Sequence, residues 1–192
     1  MARKYEFQPD KPYSSWLSKL QLTPQQRRQL LKWFLYALVL LVLSVLQDVV
    51  LCRLRFFGGT SDLVPCGIFI ICILEGSQRG CIFALVASYL YLLSGTAPGP
   101  HILVLITIIS VLTAIIRQAY LHQGFPAVLL CSTLAMILYE LSVFGFCLLI
   151  GSATLMRFVS FMVPVLLSLV SVPMIYPIAK AIAAIGGETW KE

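Results

Sequence analysis

From Leu30 to about Ile182 the chain is an almost unbroken series of apolar runs, separated only by short polar breaks. This feature constrains the fold more than any other. A bilayer core of about 30 Å is crossed by about 20 apolar residues in a helix. Inside lipid every backbone N–H and C=O must find a partner within the protein, which long helices achieve on their own. Composition agrees: 59% of the residues are hydrophobic and 11% charged, where a soluble domain carries roughly 45–50% and about 25%. The expected class is an all-α polytopic membrane protein.

Six spans can be placed, at 30–51, 62–76, 80–94, 101–121, 126–150 and 158–182. The second and third are short and joined by Ser77-Gln78-Arg79, which fits a tilted pair or a tight helical hairpin. The breaks are all short, so consecutive helices should pack antiparallel. The organisation expected is a basic tail over 1–29, a six-helix domain over 30–182 and a short tail over 183–192.

The basic residues orient this bundle. With the N-terminus inside, Arg3, Lys4, Lys11, Lys19, Arg27, Arg28 and Lys32 are cytoplasmic, joined by Arg79, Arg117, Lys180 and Lys191. Only Arg53, Arg55 and Arg157 fall outside. That bias places both ends in the cytoplasm, and it makes the net charge of +6 a topology signal with a secondary attraction to anionic lipid. The tail has no nucleic-acid module. Its prolines and late apolar run do not read as a signal peptide. Within it, Trp16, Leu17 and Leu20 suit a short interfacial helix. Thr23-Pro24-Gln25-Gln26 reads as a helix start that continues into the first span, with Lys32 at headgroup level and Trp33 as an interface anchor.

Little points to catalysis or to a cofactor. Cys52, Cys66, Cys72, Cys81, Cys131 and Cys147 form no C-x-x-C pair and read as small buried hydrophobes. Cys52 and Cys66 both fall near the outer face, where a disulfide is the other option. His101 and His122 lie near opposite faces, which argues against a histidine metal site. There is no G-x-S-x-G, P-loop or H-E-x-x-H, and Gly76–Gly80 follows no strand. The expectation is a non-enzyme.

Against this apolar background a few polar residues stand out. Glu140 lies deep in the fifth span, where a charge costs about 2.5–3.5 kcal/mol. It serves either a partner or ligand contact, or a structural hydrogen bond. Gln47, one turn inside the membrane, calls for an interhelical partner. Asp62 suits a helix cap, with Pro65 tolerated in the first turn. Glu75 and Arg79 could pair if their helix is continuous. Gly76, Gly80, Ala84 and Ser88 recur every four residues and allow close helix approach, within the chain or toward a partner. Pro164, Pro173 and Pro177 should kink or partly unwind the sixth span.

The order of these features resembles the rod shape-determining MreD family over roughly residues 35–182. The matching segments are Leu46-Gln47-Asp48, Ser61-Asp62-Leu63-Val64-Pro65, Gly76 through Gly80, Leu92-Leu93-Ser94-Gly95 with Gly99, Tyr139-Glu140 with Val143-Phe144-Gly145, and Arg157-Phe158 with Pro164. Where the family carries a Gly and then an Asp before its Leu-Leu-Ser-Gly-like stretch, this chain has Ala87 and Tyr91. No role of that Asp carries over.

The resemblance implies a bacterial cell-membrane subunit of the cell-elongation machinery, serving peptidoglycan synthesis. It would bind a single-span MreC-type scaffold and through it a RodA-type glycosyltransferase, a class B penicillin-binding protein and MreB filaments. Gln47, Glu140, Gly76, Gly80, Ala84 and Ser88 are the candidate partner contacts. A competing expectation shares the fold: the substrate-binding subunit of an energy-coupling-factor vitamin transporter. Such a subunit calls for a cavity near the outer face with aromatic and polar walls, and for a small-residue face on the first span. Ala37 through Val45 is bulky where that face should be small.

Overall fold

A computed structural model describes residues 24–53, 62–95, 97, 99–120, 124–154 and 158–185. The expectations for Trp16 to Leu20, Arg55, Ser61, His122, Arg157 and Lys191 lie outside these residues. Six α-helices are present and no strand among the described residues. They are α1 (Pro24–Val49), α2 (Leu63–Glu75), α3 (Ser77–Leu93), α4 (His101–Tyr120), α5 (Phe125–Leu149) and α6 (Phe158–Ile185), with a 3₁₀ turn at Leu51–Arg53 after α1. Four of them, α1, α4, α5 and α6, are long and apolar enough to cross a membrane. The expected all-α membrane class is what the chain builds.

Helix α2 is the centre of the bundle and touches all five others. Every residue of it except Leu74 is buried. A helix apolar on all sides has no solvent face and is stable when surrounded. Its 13 residues span about 20 Å, less than the roughly 30 Å of a hydrocarbon core. The other helices face it with single stripes. On α1 the stripe is Lys32, Tyr36, Leu40, Leu43 and Gln47, and on α6 it includes Val165, Ser168, Val172, Ile175, Ala179 and Ile182. The opposite sides carry exposed Leu, Ile and Val, for example Leu41, Leu166 and Val170, which suits contact with lipid.

Gly76 makes the hairpin between α2 and α3. Its φ of 85° lies in the left-handed region that glycine adopts without strain. Its N–H donates to the Cys72 carbonyl at 3.0 Å, closing α2, and its own carbonyl accepts from Gly80 N–H at 2.9 Å, opening α3. Glu75 and Arg79 therefore do not share one helix, and the condition for an i,i+4 pair is not met. Just beyond, Gly80 lets the two helices approach. A Cβ there would sit 3.0 Å from the Cys72 carbonyl oxygen and 3.1 Å from its Cα.

Two other expectations change. Helix α6 continues through Pro164, Pro173 and Pro177 as one 28-residue element, so it does not unwind. Asp62 precedes α2 but its side chain makes no capping hydrogen bond. Pro24 opens α1 and Pro65 sits in the first turn of α2 as expected.

Gly80→Val should lower stability by about 1–3 kcal/mol, because the added atoms meet backbone that cannot yield. Gly145 sits in the interior of α5 with open space around its Cα, so Gly145→Ala should stabilise by about 0.5–1 kcal/mol. Thermal unfolding of the detergent-solubilised protein, read by loss of the monodisperse peak, checks both.

Candidate functional site

A short helix buried at the centre of a membrane bundle leaves its terminal N–H and C=O groups without water, so neighbours must satisfy them. At the start of α2, Gln47 of α1 reaches across and its Oε1 accepts the Val64 N–H at 3.0 Å. Gln47 thus supplies the cap that Asp62 does not. The Asp62 carbonyl accepts from Ser168 Oγ at 3.2 Å, tying α6 to the same point. Glu140 lies beside Asp62 and is 4% exposed. Its Oε1 has no hydrogen-bond partner among the described residues. Carboxyl groups at this end are matched to the positive end of the α2 dipole.

The other end of α2 is held by cations. Glu75 closes the helix, where its negative charge opposes the dipole. Lys32 of α1 compensates with Nζ 2.7 Å from Oε2, and the Tyr36 hydroxyl donates to Oε1 at 2.6 Å. Both charged groups are buried. That hydroxyl also lies 3.5 Å from the Ala179 carbonyl of α6. Arg117 of α4 donates to the Ile73 carbonyl, one of the acceptors orphaned by the break at Gly76. Lys32 therefore points into the bundle rather than outward.

The small-residue series is also spent inside the chain. Gly76 forms the hairpin, while Gly80 and Ala84 face the interior. The Gly80 carbonyl accepts from Cys72 Sγ at 3.2 Å. Ser88 faces α4, with its Oγ 3.5 Å from Thr107 Oγ1. Cys66 is a free buried thiol 3.7 Å from the Ser168 carbonyl, which leaves the Cys66 disulfide option unused. Among the described residues no group of three or more His, Cys, Asp or Glu is placed to hold a metal ion.

A groove of about 800 Å³ lies between α1 and α3. At one end Trp33 and Phe83 meet at a tilt with ring centroids 5.7 Å apart, each against Tyr36. Beyond them Leu41, Val45, Val86 and Leu90 line the walls. Gln29, Lys32 and Arg79 mark the mouth beside Glu75.

No protein-family model, curated protein or solved structure matches the chain. The site has to be read from its own chemistry.

That chemistry separates the six sequence candidates from the open surface. Gln47, Gly80, Ala84, Ser88 and Glu140 are buried, and none of the six lines the groove. Sequence reasoning passed over Tyr36, took Lys32 and Arg117 only as orienting charges, and gave Glu75 the partner Arg79 instead of Lys32. The usable signal was opposite charges at equal depth: antiparallel threading brings Lys32, Glu75 and Arg117 to one level.

Lys32→Met and Glu75→Leu should each cost about 3–5 kcal/mol, because each strands a buried charge. The double variant should lose far less than the sum, since no charge is stranded. Unfolding in a denaturing detergent titration of all four proteins measures the coupling.

Proposed function

We propose that this chain is a non-enzymatic docking subunit of the cell membrane, an MreD-like component of the bacterial cell-elongation machinery. Its groove between α1 and α3 accepts the transmembrane helix of an MreC-type scaffold. Through that scaffold it joins a RodA-type glycosyltransferase, a class B penicillin-binding protein and MreB filaments. In this reading the chain traverses the bilayer six times, with the short α2 enclosed by the other helices and both termini cytoplasmic. The clustering of Lys32, Arg79 and Arg117 near the Glu75 end supports the orientation, because basic residues favour the cytoplasmic side.

The observation that carries the docking role is the groove itself. Its walls are two helix faces, largely aliphatic and aromatic, opening sideways between α1 and α3. Membrane helices associate by close packing of such faces. Gln47 is committed to α2 and Glu140 is buried away from the groove, so a partner meets the chain at the groove rather than at either residue. A water-soluble vitamin would instead call for convergent polar groups in an enclosed cavity. The lateral, apolar opening favours a helix over such a substrate.

Ala37 lines the groove and is exposed there. Ala37→Trp should fill it and abolish co-purification of an MreC-type partner. Val170→Trp on the exposed face of α6 should leave co-purification intact. Equal recovery with both variants would refute the groove as the interface.

A further inference from the structure

Gln47, Lys32, Glu75 and Arg117 all hold the ends of α2, but the two acids at its start have no such work. Asp62 is half-buried just before α2, and Glu140 of α5 is 4% exposed. Their side chains are within hydrogen-bonding reach of each other. Neither forms an ion pair among the described residues, and the Lys32–Glu75 pair lies at the opposite end of α2. Two ionised carboxylates side by side in an apolar bundle repel strongly, so one of them keeps a proton.

The surroundings decide which. Glu140 Oε1 is buried with no hydrogen-bond partner among the described residues. An ionised Glu140 would put charge on that bare oxygen, which is far more costly in an apolar medium than a neutral carboxyl. Asp62 is the more exposed acid and stands at the positive end of the α2 dipole, which favours its charge. A further polar group faces the pair. The Tyr139 hydroxyl is 0% exposed and has no hydrogen-bond partner, with Asp62, Tyr91 and Glu140 as its electrostatic neighbours. A neutral hydroxyl brings no positive charge, so it does not balance a second carboxylate.

We propose that Asp62 and Glu140 form a one-proton binding site, with Glu140 carrying the proton and donating it in a hydrogen bond to the Asp62 carboxylate, which locks the start of α2 to α5. The site stands whether or not the groove is the interface. Half-buried Asp62 brings it to the edge of the bundle, where the proton exchanges with water. The groups around it come from every neighbouring helix. They are Tyr91 of α3, Tyr139 of α5 and Ser168 of α6 on the Asp62 carbonyl. Gln47 of α1 holds Val64, with exposed Asp48 beside it, and His101 of α4 stacks on Phe146 with ring centroids 4.7 Å apart. Tyrosine ionises only in alkali. Asp48 and His101 titrate alike in the wild type and in a Glu140 variant, so the difference between the two isolates the pair.

Infrared spectra of the full chain in nanodiscs should show the carbonyl band of a protonated carboxyl at neutral pH. Carbon-isotope labelling of glutamate should shift that band, and Glu140→Gln should remove it. Stability gives the second readout. The folded state holds one proton more than the unfolded one, so its stability falls as pH rises. In denaturing-detergent titrations the wild-type folding constant should drop by about tenfold per pH unit above about pH 4.3, until the folded pair gives up its proton. Glu140→Gln keeps the shape without the proton, and its slope should be shallower by that one proton. A neutral-pH spectrum of the wild type with no glutamate band, which needs no variant, would overturn the site. Equal slopes in the wild type and Glu140→Gln would also overturn it. So would stabilisation by sodium chloride but not choline chloride at fixed pH, because the cation held would then be a metal ion.

Discussion

The structure depends on satisfying the two ends of a helix enclosed by the other five. Helix α2 is buried along nearly its whole length, and in an apolar medium an unpaired backbone group costs several kcal/mol. Gln47 answers at one end, and Arg117 with the Lys32–Glu75–Tyr36 group answers at the other. Those side chains come from α1 and α4, so capping α2 also fixes the helices around it. The buried stripe of α1 begins with Lys32 and ends with Gln47 for this reason. Its apolar middle packs on α2 while its polar ends hold the termini.

This arrangement decides where a partner can bind. A polar residue in a membrane helix is a functional candidate by default. Here most of that polarity is consumed in holding one helix. The Gly80–Ser88 series brings α3 against α2 and α4, so it too is internal. Because α3 follows α2 and α4 rather than α1, an open seam is left between α1 and α3. The docking role proposed above rests on that seam rather than on the buried polar residues.

The helix boundaries were legible in the sequence because the length of an apolar run and the polar breaks between runs set them directly. The six expected spans and the six helices differ at most ends by a few residues. Which way each helix faces was not legible, because lipid and protein interior are both apolar and leave little contrast between faces. Asp62 looked like a cap from its position, yet Gln47 holds the site from another helix. Glu75 and Arg79 looked like a local pair until the positive φ of Gly76 separated them. Helix α6 absorbs three prolines because packed neighbours can support a membrane helix where backbone donors are lost. The groove lies between α1 and α3, a tertiary fact no single segment encodes.

The central claim is that polar residues hold the interior while α1 and α3 form the interface. A cysteine cross-linking scan against a co-expressed MreC-type scaffold tests it most directly. Cross-links should concentrate at groove positions such as Leu41 and Val86 and be missing at Val170 and Met174 on the exposed face of α6. Cross-links centred on α6, with none across the groove, would contradict the account.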